Sequence, residues 1–137
     1  MAIDRLTVRF AYQRGFQVVD DGPTVLATFE ARHDAFKFIL QRGARVRLSW
    51  ARTVIGGRAA PYDFAASFIG NDVGRIMKHQ HGPSAGAWHW GLYYHDALLK
   101  RQNGARGRAD SKDEAVAEIE REFTRFVAAS DEYLADR

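Results

Sequence analysis

The 137-residue chain contains no cysteine. Disulfides, thiol nucleophiles and thiolate metal centres are therefore excluded. Proline is scarce, at three residues, which leaves no proline-rich spacer. No run approaches the roughly 18 consecutive apolar residues of a membrane-spanning helix. The start, Met1-Ala2-Ile3-Asp4-Arg5, lacks the charged and apolar regions of a secretory signal. These absences give the expectation of a soluble, cytoplasmic protein with no membrane partner. Strong catalytic signatures are missing as well. There is no Gly-x-Ser-x-Gly elbow, no Gly-x-x-x-x-Gly-Lys phosphate loop and no His-Glu-x-x-His.

Acidic residues are absent from two stretches. The first, 35–62, holds Lys37, Arg42, Arg45, Arg47, Arg52 and Arg58; the second, 97–109, holds Lys100, Arg101, Arg106 and Arg108. From Asp110 onward there are nine acids and four bases, so the net charge of +3 hides a basic body and an acidic C-terminal segment. Such asymmetry suits either a surface that meets a polyanion or an internal pairing of the two segments.

The composition, 46% hydrophobic and 12% aromatic, is that of a globular chain. Its length suits a single domain over 1–137, with Gly56, Gly57 and Pro61 marking a half-boundary or long hairpin tip at 56–61. Leu6, Val8, Phe10 and Tyr12 alternate with polar or small residues, and so do Val25, Ala27 and Phe29. Both patterns predict strands, with a short third strand at 16–20 between them. A helix is predicted over 31–42, with Ala35, Phe36, Ile39 and Leu40 inward and Gly43 as its stop. Val46, Leu48 and Trp50 predict a fourth strand whose outer face carries Arg45 and Arg47.

The block 62–94 is the most patterned. Tyr62, Phe64, Ala66 and Phe68 predict a strand, Gly70-Asn71-Asp72 a hairpin, and 73–78 the returning strand, with Gly74 at a bulge or crowded crossing. After a Gly/Pro/Ser loop at 79–87, Trp88, Trp90, Leu92 and Tyr94 share one strand face. His89, Gly91, Tyr93 and His95 share the other. The segment 97–109 reads as a basic, glycine-containing loop. Ser111-Lys112-Asp113-Glu114 is a capping box, opening a helix with Val116, Ile119, Phe123, Phe126 and Val127 on one side. The fold class expected is α+β: an antiparallel sheet with helices packed on one face, readable as two β-β-β-α units.

The second half resembles an uncharacterised family of small bacterial β-β-β-α proteins. The likeness rests on Gly74-Arg75-Ile76, Gly82-Pro83, Trp88-His89-Trp90 and Glu114-Ala115. It implies the β-β-β-α arrangement and carries no activity with it. The long basic insertion between Trp90 and the last helix departs from that pattern.

Three functional expectations follow. The first is a non-catalytic intracellular module binding an anionic partner, nucleic acid above all. Arg45, Arg47 and Arg52 on the fourth strand, and Arg101, Arg106 and Arg108 on the loop, would be its phosphate contacts. The second is a protein-interaction module, a regulator or inhibitor, docking by a sheet edge or self-associating as a homo-oligomer. The third is a small enzyme or metal protein built on His79, His81, His89 and His95, although their spacing matches no established ligand motif. No cofactor is called for. The tryptophan stripe fits a core floor beneath the last helix better than a stacking platform.

Overall fold

The computed structural model describes residues 5–95 and 101–129, and it is α+β. Its strands are β1 (Arg5–Ala11), β2 (Gly15–Val19), β3 (Val25–Phe29), β4 (Arg45–Val46), β5 (Ser49–Ile55), β6 (Arg58–Phe68), β7 (Asn71–Lys78), β8 (Trp88–His95) and β9 (Arg101–Ala109). Its helices are α1 (Arg32–Gln41) and α2 (Lys112–Ala129). Among the described residues no helix is long and apolar enough to cross a membrane. The chain forms two compact units, one running to Arg47 and resuming at Glu120, the other Leu48–Ile119. The single helix α2 therefore contributes its first part to the second unit and its remainder to the first.

In the first unit four strands lie in the order β3-β2-β1-β4, antiparallel except for the parallel pair β1·β4. Ala35, Phe36 and Ile39 give α1 its buried stripe at helical spacing. Gly43, at φ 75°, ends α1: its N–H donates to the Leu40 carbonyl and that of Ala44 to the Ile39 carbonyl. Those two bonds make a Schellman stop, which a left-handed residue permits. Further along the chain, the Thr124 hydroxyl donates to the Glu120 carbonyl (2.7 Å) and accepts the Val46 N–H (2.8 Å). An amide of the edge strand β4 is thereby satisfied by a helix side chain.

The most costly group in this unit is Glu120, which is fully buried. It accepts hydrogen bonds from Arg5 Nε (2.8 Å) and Nη2 (2.6 Å) and from Arg45 Nε (2.9 Å). A buried carboxylate is tolerable only when paired and fully hydrogen-bonded, and two guanidiniums do both here. The same contact holds the Arg5 pKa above its ordinary value, mainly through the hydrogen bond.

The second unit is an antiparallel meander in the order β5-β6-β7-β8-β9. Gly56 (φ 59°) and Gly57 (φ 80°) make the two-residue turn between β5 and β6. Ile69 (φ 51°) and Gly70 (φ 76°) make the next one. A β-branched residue in the left-handed region is strained by about 1–2 kcal/mol, and Ile69 accepts this at an exposed tip. The first part of α2 covers one face of the sheet. A Cβ on Gly74 would lie 3.0 Å from the Gly91 carbonyl oxygen and 3.4 Å from Ile119, so the crowded crossing expected there exists. The cap also forms, with the return bond reaching one residue beyond Ser111. Ser111 Oγ accepts the Glu114 N–H (3.1 Å), and the Glu114 carboxylate accepts the Asp110 N–H (3.1 Å).

Four expectations change. The fourth strand is not continuous: β4 pairs with β1, whereas β5 joins the other sheet, and the break falls at Arg47 and Leu48 without glycine or proline. The division between units falls there too, so of the two alternatives for 56–61 the hairpin tip holds and the half-boundary does not. The described part of the basic segment is no loop. It is β9, whose ladder with β8 outweighs the poor strand propensity of Gly104 and Gly107. Finally, the units do not repeat, since one is β-β-β-α-β and the other a five-stranded meander.

Candidate functional site

Alternation along β8 sends Trp88 and Leu92 to the face covered by α2, where both are buried. Trp88 lies 6.3 Å from Phe64, and the Lys112 ammonium sits 3.8 Å above the Phe64 ring. Trp90 lies against Gly107, where a Cβ would come within 2.6 Å of the indole. Trp88 therefore belongs to the buried face, whereas Trp90, half-buried, packs on β9 at Gly107.

The reverse face is set by register. One row across the strands runs Asp63, Met77, His89, Arg108; the next runs Ala65, Arg75, Gly91, Arg106. Because Gly91 has no side chain and the β8·β9 register shifts between Gly91 and Tyr93, the surface dips there. The resulting concavity, about 380 Å³, is lined by His89, Gly91, Tyr93, Arg106 and Arg108, with Trp90 and Gly107 completing its wall.

Its charges differ in availability. Asp63 is buried and accepts from Thr53 Oγ1 (2.7 Å), from Arg75 Nε (2.8 Å) and from Arg75 Nη2. The Arg75 guanidinium holds the Asp63 carboxyl below the usual carboxylate range, and Asp63 in turn raises Arg75. That pair cancels. Arg106 and Arg108 are exposed, and neither has an ion pair among the described residues, so the positive charge of the concavity is theirs.

His89 stacks on His79 with ring centroids 3.8 Å apart and planes 15° from parallel. Desolvation, then the charges of His79 and Arg108, push the His89 pKa down, which favours the neutral imidazole. Its Nε2 and the Nε1 of Trp90 are shielded from solvent without a hydrogen-bond partner among the described residues.

The six arginines expected to act together are not all alike. Arg45 is held by Glu120 and Arg47 by Asp21, both within the first unit. Arg52 lies over Phe64, 5.6 Å from its centroid, and its cross-strand pairing with Phe64 places it on the helix-covered face. Arg106 and Arg108 do come together; the Arg101 side chain lies outside the described residues.

For the histidines, parallel stacking directs the in-plane lone pairs of His79 and His89 into separate planes, which cannot converge on one ion. His81 is exposed on the loop, and the His95 side chain lies outside the described residues. No group of three His, Asp or Glu able to hold a metal occurs among the described residues.

Sequence reasoning missed both the Glu120 cluster and the Asp63–Arg75 pair. A signal for the first existed: Glu120 falls inside the stripe of Val116, Ile119, Phe123 and Val127, an acid in an apolar position. In the first unit a smaller concavity of about 240 Å³ is lined by Arg5, Asp20, Asp21, Gly22, Leu26 and Arg42. Asp20 there accepts the Gly22 (2.9 Å) and Thr24 (2.7 Å) amides and is held below its ordinary pKa by them, Thr24 first. Two of the concavity's charged groups are already paired, Arg5 with Glu120 and Asp21 with Arg47. Compared with protein-family models, curated proteins and solved structures, the chain finds no match in any of the three.

Proposed function

We propose that this chain is a binding module for an anionic partner, nucleic acid, and that the outer face of the second sheet is where it binds. The supporting observation is the pair Arg106 and Arg108, exposed and without a carboxylate partner among the described residues, at the edge of a concavity. Guanidiniums in that state keep their donors for phosphate oxygens. A sheet that presents arginine beside tyrosine and histidine rings offers phosphate contact and stacking on one surface.

The test is titration with single-stranded and duplex DNA and RNA at several salt concentrations. Each phosphate neutralised contributes about 0.7 to the slope of log K against log salt for a single strand and about 0.9 for a duplex. Replacing Arg106 and Arg108 by Gln lowers the slope by roughly one to two. Absence of binding at low salt defeats the proposal.

A second reading draws on a different observation. The edge strand β5 ends in Val54 and Ile55, 64% and 63% exposed, beside a strand edge that is unpaired among the described residues. Such an edge can accept a strand from a partner protein or from another copy of the chain. A mass that rises with protein concentration, and falls back with Val54→Lys, is the outcome that favours it.

A further inference from the structure

We infer that the concavity on the second sheet is a subsite for one unpaired nucleotide, with its base beside Tyr93 above Gly91 and its phosphate held by Arg106 and Arg108. This rests on the nucleic-acid reading and narrows it to single strands.

Size and shape come first. A volume of about 380 Å³ is at the small end for ligand sites, enough for a ring with its sugar. A duplex keeps its bases stacked inside and presents a convex backbone, so it has nothing of that size to insert. A single strand does, because its bases can be splayed out.

The floor comes next. An added Cβ at Gly91 would meet no atom within 4 Å, and Gly91 has no positive φ. Neither packing nor backbone conformation therefore requires glycine there. Glycine in the interior of a strand weakens it, and one known reason for its presence is close approach of a ligand. The neighbouring Gly107 is different, since Trp90 occupies the space of its side chain.

The polar groups complete the argument. Arg106 and Arg108 lie two residues apart on one strand face, about 6.8 Å along the strand, so they can straddle one phosphate or meet two in succession. The two guanidiniums are donors only, so the ligand they hold must bring acceptors. Phosphate oxygens and base carbonyls are such acceptors, and a purely apolar ligand has none.

The experiment compares a short single-stranded oligonucleotide, the same strand with abasic positions, and a duplex. Each is titrated against the wild type, Gly91→Val, Tyr93→Leu and Arg108→Gln, with thermal unfolding of every variant recorded alongside. Gly91→Val is expected to keep the wild-type melting midpoint. It should weaken the intact single strand by at least about fivefold and leave the abasic strand and duplex unchanged. Tyr93→Leu should do the same to the intact strand, whereas Arg108→Gln should weaken all three. If the wild type binds nucleic acid but Gly91→Val and Tyr93→Leu bind the intact strand as the wild type does, the subsite is overturned and backbone contact by the arginines stands. If no nucleic acid binds the wild type, the broader proposal fails and the subsite with it.

Discussion

In the first unit Arg5 and Arg45 close on the buried Glu120 and Arg47 pairs with Asp21, whereas in the second unit Arg106 and Arg108 stand on an open face without a carboxylate partner among the described residues. Four of the five come from the acid-free stretches 35–62 and 97–109, and composition treats all of them alike. What separates them is whether the fold brings an acid to meet them. The basic character of a sequence thus overstates the charge that its surface can offer, and pairing decides how much is left.

Breaking the paired side gives the largest effect. Glu120→Gln leaves two guanidiniums around a neutral amide, and removing one partner of a buried cluster costs about 3 kcal/mol. Urea denaturation is expected to show that loss, with the midpoint lowered and the slope retained.

Next come the two glycines that face each other's strands. Gly107→Ala drives a methyl group into Trp90 and is expected to cost about 2 kcal/mol by overpacking. Gly91→Ala enters open space and should change stability by less than about 0.5 kcal/mol. A similar loss at both positions, in the same denaturation assay, would erase the distinction between the committed and the open face of this sheet.

Arg75 is the second unit's committed arginine, and acid distinguishes it from its neighbours. Asp63 ionises more readily in the folded protein than in the unfolded chain, so the unfolded chain takes up protons first as the pH falls. The stabilisation is complete above the ordinary carboxylate range, about pH 4, and is lost as pH falls through it toward the lower folded value. Asp63→Asn should therefore cost about 1 kcal/mol near neutral pH, and the gap to wild type should shrink on acidification. A gap that is constant with pH would mean that the pair contributes nothing electrostatic. Smallest in stability, and largest in consequence for binding, are Arg106→Gln and Arg108→Gln. Each should leave unfolding unchanged within about 0.5 kcal/mol while lowering the salt slope for nucleic acid.

Features determined by neighbours in sequence were legible in advance. The Ser111–Glu114 cap, the Gly43 stop, the Gly56–Gly57 turn and the opposite faces of Trp88 and His89 each depend on a few adjacent residues. The turn falls at Ile69 and Gly70, ahead of the 70–72 that turn propensity favours, because Ile69 takes a left-handed position that its branched side chain argues against. The break at Arg47 and Leu48 had no local marker, since it is set by which strand each side pairs with. β9 was hidden for a related reason: Gly104 and Gly107 lower its propensity, yet Gly107 is what the Trp90 ring requires. As for the site, alternation places Arg106 and Arg108 on one face, but the partners that occupy Arg5 and Arg45 lie 115 and 75 residues away. Nothing in a local window reveals such a meeting.

That separation also bears on how the chain is made. Synthesis proceeds from the N-terminus, so β1 to β4 leave the ribosome long before Glu120 exists. Until then Arg5 and Arg45 have no carboxylate between them, and the Val46 amide lacks the Thr124 hydroxyl. The unit that is translated first is thus the one completed last, and during that interval the nascent chain carries an open cationic pair that the finished molecule has closed.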